Sequence, residues 1–265
     1  ANYEYDWFQG FTTNIGVLNK RIVPLGDFHF YRHQGAALSE IPSITTSELR
    51  LTTRFAWKEQ YLQSTFSRIS IGTKAPILKF DLHVGLRNII GSEFNYVRTV
   101  FTISDRFRIN PMGYTDYIAS IGKIFGHAPY PFLEIHQGSQ TYALDMQAFN
   151  MMGIFEFASD RWVSVFIDHH FEGFFFNKIP LLRKLKWREA LSFKGLIGDI
   201  SNQNLSLILY PDNLNPKLNK PYIEGGVAVE NIFKIFRVDG LWRLTHLKGT
   251  DEPLFGLRVS TLLRF

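Results

Sequence analysis

Two short stretches carry the residue types that acid–base catalysis or metal binding would need. They are Asp168-His169-His170 and Glu134-Ile135-His136. Carboxylate and imidazole groups are the usual general acids, bases and metal ligands in proteins. Adjacent strand residues point to opposite faces, so His169 and His170 are not expected to bind one metal ion. Glu134 and His136 would share a face of an extended segment, but two ligands do not make a metal site.

The sequence motifs of well-known catalytic sites are absent. H-E-x-x-H, G-x-S-x-G, the P-loop and G-x-G-x-x-G do not occur anywhere in the chain. With 0 cysteines, a disulfide framework and a cysteine-ligated zinc site are excluded. We therefore predict that the protein is not an enzyme and has no cofactor or metal site. Its basic residues are spread along the chain at a net charge of +5, so no nucleic-acid partner is expected.

The segments that must position these side chains alternate with a period of two, which is typical of β-strands. The pattern is clearest in residues 49–57, 76–87, 94–107, 236–245 and 253–265. In the last of these, an apolar face opposes a face that carries Arg258, Ser260 and Arg264. Long stretches at 18–45 and 126–149 break the pattern and are predicted to be loops. Residues 3–17 are predicted to form one strand, 151–158 to pair with 162–171, and 179–185 to form a helical turn.

The polar faces of these strands carry charges of both signs. Charges on a covered sheet face would each cost several kcal/mol unless they are paired. The pattern therefore fits a sheet whose second face meets water or a polar interior. The candidate inward charges are Arg50, Arg54, Lys79, Asp81, Arg87, Arg98, Asp168, Arg237, Asp239, Arg243 and Arg258. His170 is expected in a network with Asp168 on this face, and His169 on the opposite one.

Composition narrows the fold class further. Aromatic residues make up 15% of the 265 residues, and 25 positions are Phe. No apolar run approaches the roughly 18 residues that a transmembrane helix needs. An antiparallel transmembrane β-barrel explains both features, because lipid-facing residues alternate with residues that face a polar lumen. We predict an all-β fold with about twelve strands in this chain; a β-sandwich with an aromatic core is the alternative.

Several longer motifs resemble the C-terminal region of a Bacteroidota family of outer-membrane proteins. These motifs lie at residues 129–142, 148–152, 155–162, 170–180, 184–189, 222–234 and 237–244. Members carry an N-terminal carboxypeptidase-like regulatory domain and end in a barrel distantly similar to surface-antigen (outer-membrane assembly) barrels. The resemblance implies a single barrel domain over residues 1–265, as the C-terminal part of a longer protein. It also implies up to sixteen strands if upstream strands are missing. The Arg-Gly loop that assembly barrels fold into the lumen has no equivalent dipeptide in residues 129–150.

The location implied by this resemblance is the bacterial outer membrane. The expected function is transport, or the assembly and translocation of surface proteins. The alternative is a plugged barrel with a structural or partner-binding role. Expected partners are outer-membrane lipid and lipopolysaccharide, the barrel assembly machinery, and other outer-membrane or periplasmic proteins.

The C-terminal strand generates a first prediction, because Val259, Thr261, Leu263 and Phe265 form a candidate insertion signal on its lipid-facing side. Deleting Phe265 should lower the amount of folded barrel in the membrane without changing synthesis. Leu263→Arg should do the same, since a charge on the lipid face costs about 1–4 kcal/mol depending on depth. Arg264→Ser, on the opposite face, is the control and should be mild. Equal amounts of heat-modifiable protein for all three variants would contradict the assignment.

Overall fold

The computed structural model describes residues 1–25, 29–34, 37–63, 68–73, 75–205, 218, 220–248 and 253–261. Nearly all of its regular structure is β-strand. The strands are β1 (Asn2–Phe8), β2 (Phe11–Ile22), β3 (Phe30–Gln34), β4 (Ala37–Ile41), β5 (Ile44–Ala56), β6 (Gln60–Gln63), β7 (Arg68–Gly72), β8 (Ile77–Gly85), β9 (Tyr96–Arg108), β10 (Tyr114–Gly126), β11 (Glu134–Ile135), β12 (Ala158–Ser159), β13 (Arg161–His170), β14 (Arg188–Asp199), β15 (Tyr222–Ile232), β16 (Phe236–Arg243) and β17 (Phe255–Thr261).

Among the described residues, helical structure is confined to short pieces. They are α1 (Pro180–Leu185), α2 (Asn202–Leu205) and 3-10 turns at Tyr130–Phe132 and Phe176–Lys178. Pro180 occupies the first turn of α1, as predicted, because its missing N–H would be unpaired there in any residue. No helix in the described ranges is long and apolar enough to cross a membrane.

Eleven strands form one sheet in the order β1-β2-β5-β8-β9-β10-β13-β14-β15-β16-β17. Each strand pairs antiparallel with its neighbour in this order, which confirms the predicted all-β antiparallel architecture. The pairs β3–β4, β6–β7 and β11–β12 are separate small sheets. The main sheet has β1 and β17 as its edges, and because the strand number is odd these two run in the same direction.

The two faces of the main sheet differ sharply in chemistry. On the outward face, Phe80, Phe101, Ile121, Val163 and Ile197 are paired in one row across β8, β9, β10, β13 and β14, and all five are exposed. The inward face holds the buried charges, such as Asp168 and Arg237. The alternation in the sequence thus corresponds to two real surfaces.

The sheet curves around residues 127–160, which we call the inner segment. The ring centroid of its Phe132 lies 5.0 Å from Lys20 Nζ of β2. The same ring stacks on that of Tyr96 of β9, with 5.6 Å between the ring centroids. Its Phe149 packs on Phe166 of β13 at 4.8 Å and on Tyr222 of β15 at 5.4 Å. Strands far apart in the sheet contact one segment with the same face, so that face is concave. These aromatic residues belong to the main buried apolar cluster.

The inner segment also reaches the edge of the sheet. Val259 of β17 donates its N–H to the Tyr142 carbonyl at 2.8 Å, and Leu144 donates to the Val259 carbonyl at 3.0 Å. Ala143 and Val259 thereby form a parallel bridge. Part of the edge of β17 is covered from within the chain.

Three predicted boundaries are wrong. Residues 3–17 are divided between β1 and β2 by a turn at Gly10, whose φ of +92° suits glycine. The predicted loop at 18–45 contains the end of β2, the β3–β4 hairpin and the start of β5. Residues 151–158 do not pair with β13 as a strand but belong to the inner segment, where β12 covers only Ala158–Ser159.

Candidate functional site

A row of charges on the inward face of β14, β15 and β16 is the centre of the candidate site. Lys194 pairs in register with Glu224, and Glu224 with Arg243, so positive, negative and positive groups lie side by side. All three side chains are buried. Arg258 of β17 is buried on the same face. We call these four residues the clamp.

The clamp holds the inner segment by its main chain. The Glu224 carboxylate accepts the N–H groups of Asn150 at 2.8 Å and Met151 at 2.9 Å. Lys194 donates to the carbonyls of Asp145, at 2.9 Å, and Ala148. Bonds between ionised groups and amides are stronger than neutral ones.

The two arginines of the clamp also bind the main chain of the inner segment. Arg258 donates to the Asn150 carbonyl at 2.8 Å, and Arg243 donates to the Met151 carbonyl at 3.3 Å. Arg243 also forms a bidentate ion pair with the Glu156 carboxylate, with N···O distances of 2.5 and 3.0 Å. A Cβ on Gly256 of β17 would lie 3.3 Å from the Met151 sulfur, so this inward glycine makes room for the segment.

A second buried network lies beside the clamp, centred on Arg237. Its guanidinium, 1% exposed, donates to Asp168 at 2.6 and 2.9 Å and to Asp239 at 2.7 Å. It also reaches Glu230 at 3.1 Å. His170 contacts Glu230 through Nδ1 at 2.8 Å and Asp168 through Nε2 at 3.1 Å. Asp168, Glu230 and Asp239 therefore all contact the Arg237 guanidinium. Two of these carboxylates, Asp168 and Glu230, also contact the His170 ring.

A cavity of about 860 Å³ adjoins both networks on the inward face. The inner segment contributes Leu144, Met146 and Gln147 to its wall. Charged groups of the strands, including Arg106, Arg188 and Lys194, line the other sides. Leu144 and Met146 give the segment side of the cavity apolar surface, and the sheet side carries charged groups of both signs.

The other candidate inward charges are also paired, but they do not join the clamp. Arg54 is held by Glu59 through two bonds of 2.7 Å, and Lys79 by Asp81 at 3.0 Å. Arg50 pairs with Glu48 at 2.5 Å, and Arg98 with Glu134 of the inner segment.

Arg87 lies elsewhere, and its predicted position on a strand face is wrong. β8 ends at Gly85, so Arg87 falls in the following turn, where it is exposed and bonds Asn95 through its N–H. Of the candidate insertion signal, Val259 is exposed on the outward face of β17 and Thr261 ends that strand. Leu263 and Phe265 lie outside the described residues.

The histidines of the two stretches contact different partners. His169 points outward, opposite to His170, and contacts Thr115 Oγ1 at 2.8 Å. His136 contacts Ser159 Oγ at 2.9 Å instead of Glu134, and burial lowers the pKa of His136 to about 3, so its ring is neutral. In the ranges that the structure describes, no group of three or more His, Asp or Glu residues could hold a metal ion.

Sequence reasoning missed the inner segment and with it half of the clamp. Lys194 and Glu224 looked like ordinary polar-face residues, and Asn150 carried no signal of its own. The available indication of the clamp was the concentration of charged residues on the polar faces of the last four strands of the main sheet.

One family model matches residues 31–227 of the 265, and it describes the C-terminal domain of a family of unknown function, DUF5686. The chain belongs to this family. Among solved structures, the DUF5686 domain is similar to the crystal structure of BamA from Haemophilus ducreyi lacking POTRA domains 1-3, with a TM-score of 0.56 and 11% identity. The match covers 98% of this chain and 53% of that one, so the chain spans about half of its length. At this identity the likeness concerns the fold alone. No curated protein matches the chain.

The Arg237 network generates a second prediction. Arg237→Met should destabilise the DUF5686 domain by about 3–5 kcal/mol, because Asp168, Glu230 and Asp239 would stay buried without their shared cation. Arg106→Met is the control: Arg106 pairs with Asp116 on the same face but is well exposed, so at most about 1 kcal/mol should be lost. Urea unfolding followed by tryptophan fluorescence measures both. Equal midpoints would contradict the role of Arg237.

Proposed function

We propose that this domain is an outer-membrane β-barrel domain that takes part in the assembly, translocation or transport of surface molecules and is closed at rest by its inner segment. The observation that carries the proposal is the outward row of five exposed, directly paired apolar residues from Phe80 to Ile197. Soluble monomers rarely expose contiguous apolar surface on this scale. Contact with lipid explains this exposed apolar surface without a protein partner.

The inward face supports the same proposal. A barrel in lipid places its polar side chains in the lumen, and the ion pairs of this sheet lie on the concave side. The fold likeness to BamA agrees with that arrangement. In this proposal the bacterial outer membrane is the location, lipid and lipopolysaccharide surround the sheet, and the barrel assembly machinery inserts it. The domain has no catalytic role of its own.

Between the possible tasks, the clamp favours a barrel that is not a permanently open pore. Buried hydrogen bonds from Glu224 and Arg258 to the main chain, together with the Arg243–Glu156 ion pair, fix the inner segment on the concave face of the sheet. Assembly or translocation of other surface proteins is therefore preferred over passive transport. A plugged barrel that only binds a partner is the second candidate, since the same clamp would hold a permanent plug.

The outward apolar face generates a third prediction, centred on Val227 of β15, which pairs with the exposed Leu191 of β14. Val227 is 52% exposed, so in a water-facing sheet Val227→Arg should change stability by no more than about 0.5 kcal/mol. In a lipid-facing sheet it should cost about 2–4 kcal/mol near the bilayer midplane. We expect strong loss of heat-modifiable protein from membranes for Val227→Arg and normal amounts for Val227→Leu. Normal amounts of the Arg variant would reject the membrane position.

The closed lumen generates a fourth prediction. Wild-type protein in planar bilayers should show little conductance, whereas Glu224→Ala combined with Arg258→Ala should release the inner segment and open a pore. A permanently conducting wild type, or a double variant that conducts no more than the wild type, would contradict this arrangement.

The two candidate tasks differ in cells. If the domain assists assembly, deleting the gene should reduce the amounts of other outer-membrane proteins. If it is a plugged structural barrel, those amounts should stay unchanged.

A further inference from the structure

The clamp contacts one kind of chemical group in residues 145–151 of the inner segment. Six hydrogen bonds join the two, and every one ends on a backbone N–H or C=O. Glu224 takes two successive N–H groups, while Lys194, Arg243 and Arg258 take carbonyls. Within residues 145–151 the hydrogen bonds of the clamp therefore go to the main chain, and the Arg243–Glu156 ion pair lies outside this stretch.

Backbone amides and carbonyls are common to all sequences, with proline alone lacking the N–H. We propose that the clamp is a binding site for the main chain of a turn in a polypeptide of any sequence, and that residues 145–151 occupy this site in cis. The inference rests on the proposed function, since it names the substrate class that an assembly or translocation barrel would hold. The ligand in trans is an unfolded protein segment.

The burial of the clamp indicates how such a site would work. Lys194, Glu224 and Arg243 are buried, so removing the inner segment without replacement would leave them partly unpaired at a large free-energy cost. An incoming chain that makes equivalent bonds would restore their partners. Exchange of one main chain for another is thus favoured over an empty site.

The surroundings of the segment provide the room for exchange. Its Tyr142 is 85% exposed, and Ile154 and Phe155 are also exposed, so both flanks of residues 145–151 lack full packing. The cavity of about 860 Å³ reaches Lys194 on one side and Met146 on the other. An incoming chain could approach the clamp through this space before the segment leaves.

Asn150 offers a way to weaken the cis occupant without touching the clamp. Its side chain donates to the Asp145 carbonyl at 2.8 Å and accepts the Asp145 N–H at 3.0 Å, which holds the turn of the segment together. Because the tethered segment competes at high effective concentration, wild-type protein should bind a free peptide weakly. Asn150→Ala should bind it more tightly, by about tenfold for each 1.4 kcal/mol of lost cis binding.

The test uses the full chain folded in phosphatidylcholine vesicles and fluorescent 15-residue peptides of Ala, Ser, Gln and Thr. Asn150→Ala should bind one such peptide and its scrambled version with equal affinity, measured by anisotropy. A version with proline at every second position should bind at least about tenfold more weakly, because it cannot give Glu224 two successive N–H groups. Adding Glu224→Gln should abolish the gain. Adding Asp81→Asn, on β8 and outside the clamp, should leave it intact.

A second measurement uses the wild-type protein and so does not depend on the folding of any variant. A large excess of the unscrambled peptide should speed hydrogen exchange of the Asn150 and Met151 amides, and the proline version should not. Folded, heat-modifiable protein that shows neither binding nor faster exchange would overturn the site. Binding of one sequence but not its scramble, or equal binding of the proline version, would overturn main-chain recognition. Failure of the wild type to fold in vesicles would instead count against the proposed membrane function.

Discussion

Neutralising buried charge on the concave face is the constraint on which this domain depends. Arg237 joins Asp168, Glu230 and Asp239, and the clamp joins the last strands of the sheet to the inner segment. Buried ion pairs of this kind add little net stability over apolar packing, but losing one partner is expensive. Each charged group therefore fixes the positions of its partners. Because these groups must stay on the concave face, a strand cannot turn its other face inward.

The inner segment and the sheet satisfy each other. The segment has little regular structure, so most of its N–H and C=O groups lack the partners that a helix or strand would supply. The sheet, for its part, turns ionised side chains toward the segment. Glu224 and Lys194 meet both needs with the same bonds. The aromatic residues of the segment then fill the remaining volume against Tyr96, Phe166 and Tyr222.

Local alternation made most of the sheet predictable, because the strands carry mainly apolar residues on one face and mainly polar residues on the other. β8, β9, β13, β16 and β17 follow from residue types alone. The turn at Gly10 was not predictable in this way, since the alternation continues on both sides of it. The clamp was less predictable still: Glu224 binds Asn150 and Met151, which are more than seventy positions away along the chain. Met151 and Met152 are apolar enough to suggest a strand, and only the distant carboxylate gives their segment another path.

The short bridge between the inner segment and β17 also affects how copies of the protein meet. Sheet edges with free N–H and C=O groups pair readily with edges of other molecules, and such pairing is a common start of aggregation. At Val259 those groups are already bonded to Tyr142 and Leu144. A second molecule would have to remove this segment before it could extend the sheet there. The chain thus shields part of one of its two sheet edges from pairing with its own copies.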